Sequence, residues 1–304
     1  MGASIQGSFV IRLAIFILAG AALVLAAGCS AILQPIEQRY LFRPWNPPST
    51  AYLASVVSRG DGIEEIRLKT PDGVALHGWL KRPQAYRVGE RFPLVIVFGG
   101  ARRETSWMIE RGEKPERWGW LYVNYRGFGL SEGQPSEQVV LQDARLIYDY
   151  AVSRLDVDPA NIVGLGRSLG TYFTVALANK RPLRGVILAT PFDSIAALGK
   201  ERFPWLPTGL ILAGRYDAAA IAPSINVPAL IVLAENDDIT PTERGVALAR
   251  AWGGPQRTMT LTGARHYGIE RRDEFWKAVR EFLGEIDSAG SLSKGYAKDP
   301  DFRR

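Results

Sequence analysis

Residues 161–180 constrain the fold of this chain more than any other stretch. A short apolar run, Asn161-Ile162-Val163-Gly164-Leu165, passes straight into Gly166-Arg167-Ser168-Leu169-Gly170, and a helix-like stretch from Thr171 to Lys180 follows at once. Strand, G-x-S-x-G turn and helix in that order describe a nucleophile elbow, a serine held on a sharp, strained turn. Such a turn leaves little room, so the positions two before and two after the serine must lack bulky side chains. His77 and His266 are the only histidines in the chain. An imidazole base for Ser168 is therefore one of these two.

The surroundings of that turn read as alternating strands and helices. Ile63 to Lys69 and Val74 to Lys81 are short runs split by Thr70-Pro71-Asp72-Gly73, a hairpin signal. Pro93 to Phe98, Trp120 to Tyr125, Ile162 to Leu165, Gly185 to Ala189 and Ala229 to Leu233 are nearly continuous apolar runs, as expected of parallel strands covered on both faces. Met259-Thr260-Leu261 is a weaker last strand. Val139 to Leu155 carries Val140, Ala144, Ile147, Tyr148 and Ala151 at helical spacing, and Thr171 to Asn179, Thr242 to Trp252 and Asp273 to Ile286 behave alike. The expected fold is α/β, a doubly wound and mostly parallel sheet with right-handed crossovers. No internal repeat is present.

Length and composition are those of a globular protein with one sizeable core: 304 residues, 47% hydrophobic. A net charge of +6 is spread along the chain without interleaved arginine and aromatic patches, so no nucleic-acid footprint is read. Residues 1–28 stand apart. Arg12 is their only charge, an apolar run extends from Leu13 to Ala27, and small residues close it at Ala26-Ala27-Gly28-Cys29-Ser30. This pattern predicts a secretory signal peptide, with an uncleaved anchor helix as the other reading. Leu25-Ala26-Ala27-Gly28-Cys29 resembles a bacterial lipobox, which implies lipidation of Cys29, although Ala26 stands where that motif favours Leu. Either reading predicts an exported chain tethered to a membrane on the periplasmic side. The organisation expected is a signal or anchor over 1–28, a Pro-rich linker over 29–60, a catalytic domain over 61–286 and a polar tail over 287–304.

A serine hydroxyl needs a base to take its proton and a third group to orient that base. His266 lies in Thr262-Gly263-Ala264-Arg265-His266-Tyr267-Gly268, after the last strand, at the sheet edge where the elbow emerges. His77 sits inside the early hairpin and is read as structural. The acid belongs after a strand between Ser168 and His266, in Glu235-Asn236-Asp237-Asp238-Ile239-Thr240-Pro241. Asp237 is favoured, Asp238 stays open, and Glu235 lies too near the strand end to turn toward the imidazole. The oxyanion needs backbone donors. These are assigned to the N–H of Leu169 and, from the glycine turn Phe98-Gly99-Gly100-Ala101, the N–H of Gly100.

With these segments quoted, the chain resembles the cofactor-free α/β-hydrolases, in particular the compact exported or membrane-tethered branch of depalmitoylase-like thioesterases and serine-aminopeptidase-like enzymes. The likeness covers about 61–286. Asn124-Tyr125-Arg126-Gly127-Phe128-Gly129-Leu130-Ser131-Glu132-Gly133 is similar to the loop after the family's fourth strand, and Thr190-Pro191-Phe192-Asp193-Ser194 to that after the sixth. Asp237-Asp238-Ile239-Thr240-Pro241 is similar to its acid loop, which implies that the first Asp is the catalytic one. The family's usual His-Gly at the oxyanion turn is Phe98-Gly99 here, which leaves side-chain support of that loop in question. The resemblance also implies a short cap over about 192–226, apolar at Leu198, Phe203, Pro204, Trp205, Leu206, Pro207, Leu210, Ile211 and Leu212.

The expectation is a serine hydrolase of the ester, thioester or amide class, acting on a small acyl or peptide-like substrate through an acyl-enzyme, with no cofactor and no metal. Two rivals are carried. One is a tethered, non-catalytic binding module on the same fold. The other reads Gly164-Leu165-Gly166-Arg167-Ser168-Leu169-Gly170 as a dinucleotide turn, against which Arg184 stands near the place where a ribose-binding acid belongs. The basic residues Arg102, Arg103, Arg111 and Lys114 read either as a solvated surface or as a contact for phospholipid headgroups.

Overall fold

Continuous apolar runs become central strands because both faces of the sheet are covered. A computed structural model describes residues 41, 42, 55, 62–205, 207–208 and 215–288. The chain divides into two units, Met1–Arg43 and Pro44–Arg304, and every element below belongs to the second. The expected signal or anchor, Cys29, most of the linker, cap residues Leu206, Leu210, Ile211 and Leu212, and the tail beyond Ser288 lie outside the described residues. Among the described residues, no helix is long and apolar enough to cross a membrane.

The strands are β1 (Ile63–Lys69), β2 (Ala75–Lys81), β3 (Phe92–Phe98), β4 (Gly119–Val123), β5 (Val157–Arg167), β6 (Gly185–Ala189), β7 (Ala229–Ala234) and β8 (Gln256–Leu261). They form one sheet in the order β1-β2-β4-β3-β5-β6-β7-β8. β1–β2 and β2–β4 pair antiparallel, and every other pair is parallel. The sheet therefore grows one way from β3 to β4 and the other way from β3 to β5. That reversal opens a crevice beyond the carboxyl ends of β3 and β5.

The helices are α1 (Glu137–Ser153), α2 (Leu169–Ala178), α3 (Ile195–Arg202), α4 (Ala218–Ile221), α5 (Thr242–Ala251) and α6 (Asp273–Asp287). Phe275, Trp276, Val279, Phe282, Leu283 and Ile286 recur at three- and four-residue spacing on α6. They pack against Val95, Val97, Val163, Leu165, Ile187, Leu230 and Val232 on one sheet face. Phe282 is fully buried, which stabilises the fold by about 1.5–3 kcal/mol. On the other face a Cβ at Gly164 would stand 2.8 Å from Thr174 Cγ2 of α2. Only glycine lets that helix approach so closely.

Several elements differ from the sequence reading, among them β5, which starts at Val157 rather than Ile162. α2 begins at Leu169, two residues early, because Ser168 itself makes the turn. β8 starts at Gln256 rather than Met259; as an edge strand it is only half-buried, which hides its periodicity. Within the expected cap, α3 forms with Ser194 Oγ accepting from Ala197 N–H (3.1 Å), and α4 with Asp217 Oδ1 accepting from Ala220 N–H (3.0 Å).

The loop after β4 is tied down by charge. Arg126, 4% exposed, donates to both oxygens of Asp143 on α1 and pairs with Asp72 in the β1–β2 turn. Burial pushes the Asp143 carboxyl above its usual range, while the guanidinium opposes that rise.

Candidate active site

Ser168 occupies φ +52°, ψ −120°, a conformation that costs a non-glycine residue roughly 1–3 kcal/mol. Its neighbours make the turn possible. A Cβ at Gly166 would meet Gly170 O at 2.5 Å, and a Cβ at Gly170 would meet Phe98 O at 2.1 Å. The elbow is thus wedged against the end of β3, and the Ser168 N–H donates to Ala189 O of β6 (2.9 Å). These chain-to-chain approaches account for the glycine spacing without any phosphate.

His266 Nε2 lies 3.0 Å from Ser168 Oγ, and its Nδ1 lies 2.9 Å from both oxygens of Asp237. All three side chains are buried or nearly so. With the Nδ1 proton donated to Asp237, Nε2 is left to accept the serine hydroxyl. Asp237 is held in turn: Oδ1 accepts from the N–H groups of Ile239 (2.9 Å) and Thr240 (2.7 Å), and Oδ2 accepts from Thr240 Oγ1 (3.0 Å).

The other candidates are engaged elsewhere. Asp238 pairs with Arg265 at the surface, and Glu235 accepts from the Gly263 N–H at 2.7 Å. His77 is buried in β2 with Nε2 3.1 Å from Glu65, and burial lowers its pKa from the ordinary value.

The turn Gly99–Gly100 runs beside the serine, since a Cβ at Gly100 would stand 3.6 Å from Ser168 Cβ. Support for this turn comes from a residue not singled out in sequence: the buried Tyr125 hydroxyl donates to Gly99 O at 2.7 Å. Burial raises the Tyr125 pKa well above the ordinary phenol value, so the hydroxyl stays a donor. Asn124 Oδ1 accepts from the Thr105 N–H and hydroxyl, closing the far side of the same loop.

A cavity of about 180 Å³ opens over Ser168, bounded by Gly100, Trp107, Ile239, Tyr267 and a group of arginines. Arg167, between Gly166 and Ser168, is buried; it donates to His266 O (2.9 Å) and faces Glu270 at 3.4 Å. The basic group expected at one surface is divided. Arg102 and Arg103 line the cavity. Lys114 turns inward to donate to Ile109 O and Arg111 O, and its ammonium lies over the rings of Trp120 and Trp276. Thr240, Glu270 and Tyr267 join the site without a sequence signal beyond proximity to the acid and the base.

No protein-family model matches the chain. Over 271 residues it is 32% identical to Rv2307c, an uncharacterised protein of Mycobacterium tuberculosis, spanning 88% of this chain and 94% of that one. It is 29% identical over 184 residues to the alpha/beta hydrolase domain-containing protein WAV2 of Arabidopsis thaliana, 58% of each chain. Among solved structures, an alpha-beta hydrolase of Vibrio vulnificus matches with a TM-score of 0.63 at 19% identity, covering 84% of this chain and 93% of the other. The esterase PF2001 of Pyrococcus furiosus matches at 0.61 and 16% identity, over 82% and 98%. The sheet order and the serine elbow at its reversal point define an α/β-hydrolase architecture. The chain belongs to the family of Rv2307c and carries the α/β-hydrolase fold.

Proposed function

We propose that this protein is a serine hydrolase cleaving an ester, thioester or amide through an acyl-enzyme. The observation that carries the reading is the unbroken hydrogen-bonded chain from Ser168 through His266 to Asp237. Ser168 Oγ attacks the acyl carbon while His266 Nε2 takes the hydroxyl proton, and Asp237 steadies the imidazolium that results. Collapse of the tetrahedral adduct breaks the bond to the leaving group, which departs with the proton from Nε2. Water, deprotonated by the same nitrogen, then releases the acid and regenerates the serine. The N–H groups of Gly100 and Leu169 hold the oxyanion; Leu169 opens α2, where the helix dipole favours negative charge.

A fluorophosphonate probe is expected to label wild type and to leave Ser168→Ala unlabelled. His266→Ala is expected to abolish turnover of a p-nitrophenyl ester in a chain that still melts cooperatively. A folded wild type that takes no probe points instead to the tethered binding module. Export with tethering through Cys29 or an uncleaved anchor rests on residues 12–29 of the sequence. Its test is metabolic labelling with a radioactive fatty acid. Label in the wild type and none in Cys29→Ser marks a lipoprotein. Membrane association without label marks the anchor, and a soluble, unlabelled chain rejects tethering.

A further inference from the structure

The described walls of the cavity above Ser168 are cationic. Arg102, Arg103, Arg167 and Arg271 line it, against the single carboxylate of Glu270. That carboxylate is buried and faces Arg167. Among the described residues, neither Arg103 nor Arg271 has a carboxylate partner. Arg103 lies over the Trp107 ring at 4.8 Å, and Arg167 lies 5.4 Å from the Tyr267 ring centroid and 6.0 Å from that of Trp107. A ring face under a guanidinium restrains its plane and leaves N–H edges free to donate. Like charges gathered around a recess repel one another, and an anion placed among them relieves that repulsion and accepts the unused donors. Among the described residues, the other walls are the rings of Trp107 and Tyr267, with Ile239 the one lining aliphatic side chain larger than Ala101.

We infer that the Ser168 site takes acyl substrates that carry an anionic group, a carboxylate or a phosphate, close to the scissile bond, with Arg103 and Arg271 binding that group. The inference rests on the serine-hydrolase reading above and narrows its substrate class. Arg167 is already engaged by Glu270 and the His266 carbonyl, so it sets the potential of the cavity floor, while the two unpaired guanidiniums make the contact. Both are solvent-exposed, so their attraction is screened by salt.

Matched esters test this, one member of each pair charged and one neutral. The acyl-side pair is p-nitrophenyl hydrogen succinate against p-nitrophenyl methyl succinate. The leaving-group side uses 4-acetoxybenzoate against its methyl ester for a carboxylate, and 4-acetoxyphenyl phosphate for a phosphate. Wild type is expected to favour the charged member of at least one pair by about tenfold or more in kcat/KM at low salt, since one hydrogen bond to a charged group is worth about that factor. The preference shrinks in high salt. It is lost in the Arg103→Gln/Arg271→Gln double variant and turns against the anion in Arg103→Glu/Arg271→Glu. The same preference is read without turnover: phenyl phosphate slows fluorophosphonate labelling of wild type more than phenol does, and this difference vanishes in the double variant. Hydrolysis of neutral and charged esters at equal rates overturns the inference and leaves the hydrolase reading standing. A preference that survives in the double variant removes the two arginines from it. A wild type that takes no probe and turns over no ester removes both readings together.

Discussion

The Tyr125 hydroxyl reaches from the loop after β4 to donate to the carbonyl of Gly99, 2.7 Å away and 26 residues back along the chain. This bond holds the Gly99–Gly100 turn, which runs beside Ser168. Tyr125→Phe keeps the ring and removes the donor. It is expected to lower kcat on a p-nitrophenyl ester by about tenfold with little change in KM, because a displaced oxyanion donor weakens the transition state more than the bound substrate. An unchanged kcat with a normal melting curve rejects this role.

Asp237 and Asp238 are adjacent in sequence and opposite in circumstance: one is buried against His266, the other salt-bridged to Arg265 at the surface. Asp237→Asn is expected to lower kcat by about 10⁴-fold, since the amide favours the wrong imidazole tautomer. Asp238→Asn is expected to stay within about twofold, as losses of surface ion pairs do. Steady-state kinetics of the two variants side by side decide it, and equal losses reject the assignment.

Arg126 is the sole cation beside the buried Asp143 among the described residues. Arg126→Met leaves that carboxylate uncompensated, at an expected cost of roughly 3–5 kcal/mol. Asp143→Asn added to Arg126→Met is expected to return part of it, because the amide needs no counter-charge. Urea denaturation of the two variants measures both; a single variant within about 1 kcal/mol of wild type contradicts the network.

Among the described residues Lys114 has two carbonyl acceptors and no carboxylate partner, and burial, with a smaller contribution from Lys81, pushes its ammonium down to about 7. From about pH 7 to the ordinary lysine value of 10.5, the unfolded chain holds a proton here that the folded chain has shed. Stability contributed by this group therefore rises with pH across that window. The stability difference between wild type and Lys114→Met is expected to move in favour of wild type between pH 7 and pH 9. Parallel pH profiles for the two proteins in urea melts reject the depressed value.

The legible part of this protein is what short-range sterics dictate. Strand runs such as Leu94–Val97 and Leu230–Val232 are apolar at every position because α6 covers one sheet face and α2 and α5 cover the other, and that doubled burial leaves its mark in composition. The glycines at 166 and 170 are required by approaches of less than 3 Å that any Cβ would block, so the elbow announces itself. Helices α3 and α4 escaped notice because none of the side chains of α3 is buried and α4 is a single turn. With no apolar stripe, no periodicity exists to be read.

Sequence pattern alone established the sheet, the elbow and a short list of bases and acids, since periodicity and turn sterics act over a few residues. Tertiary structure placed Asp237 rather than Asp238 against His266, brought His266 to a serine 98 positions away, set the Tyr125 hydroxyl on the Gly99 carbonyl and gathered four arginines around one cavity. Those outcomes depend on where loops from separate strands end in space. No local pattern encodes that placement, because it is set by strand order and by the packing of the whole sheet.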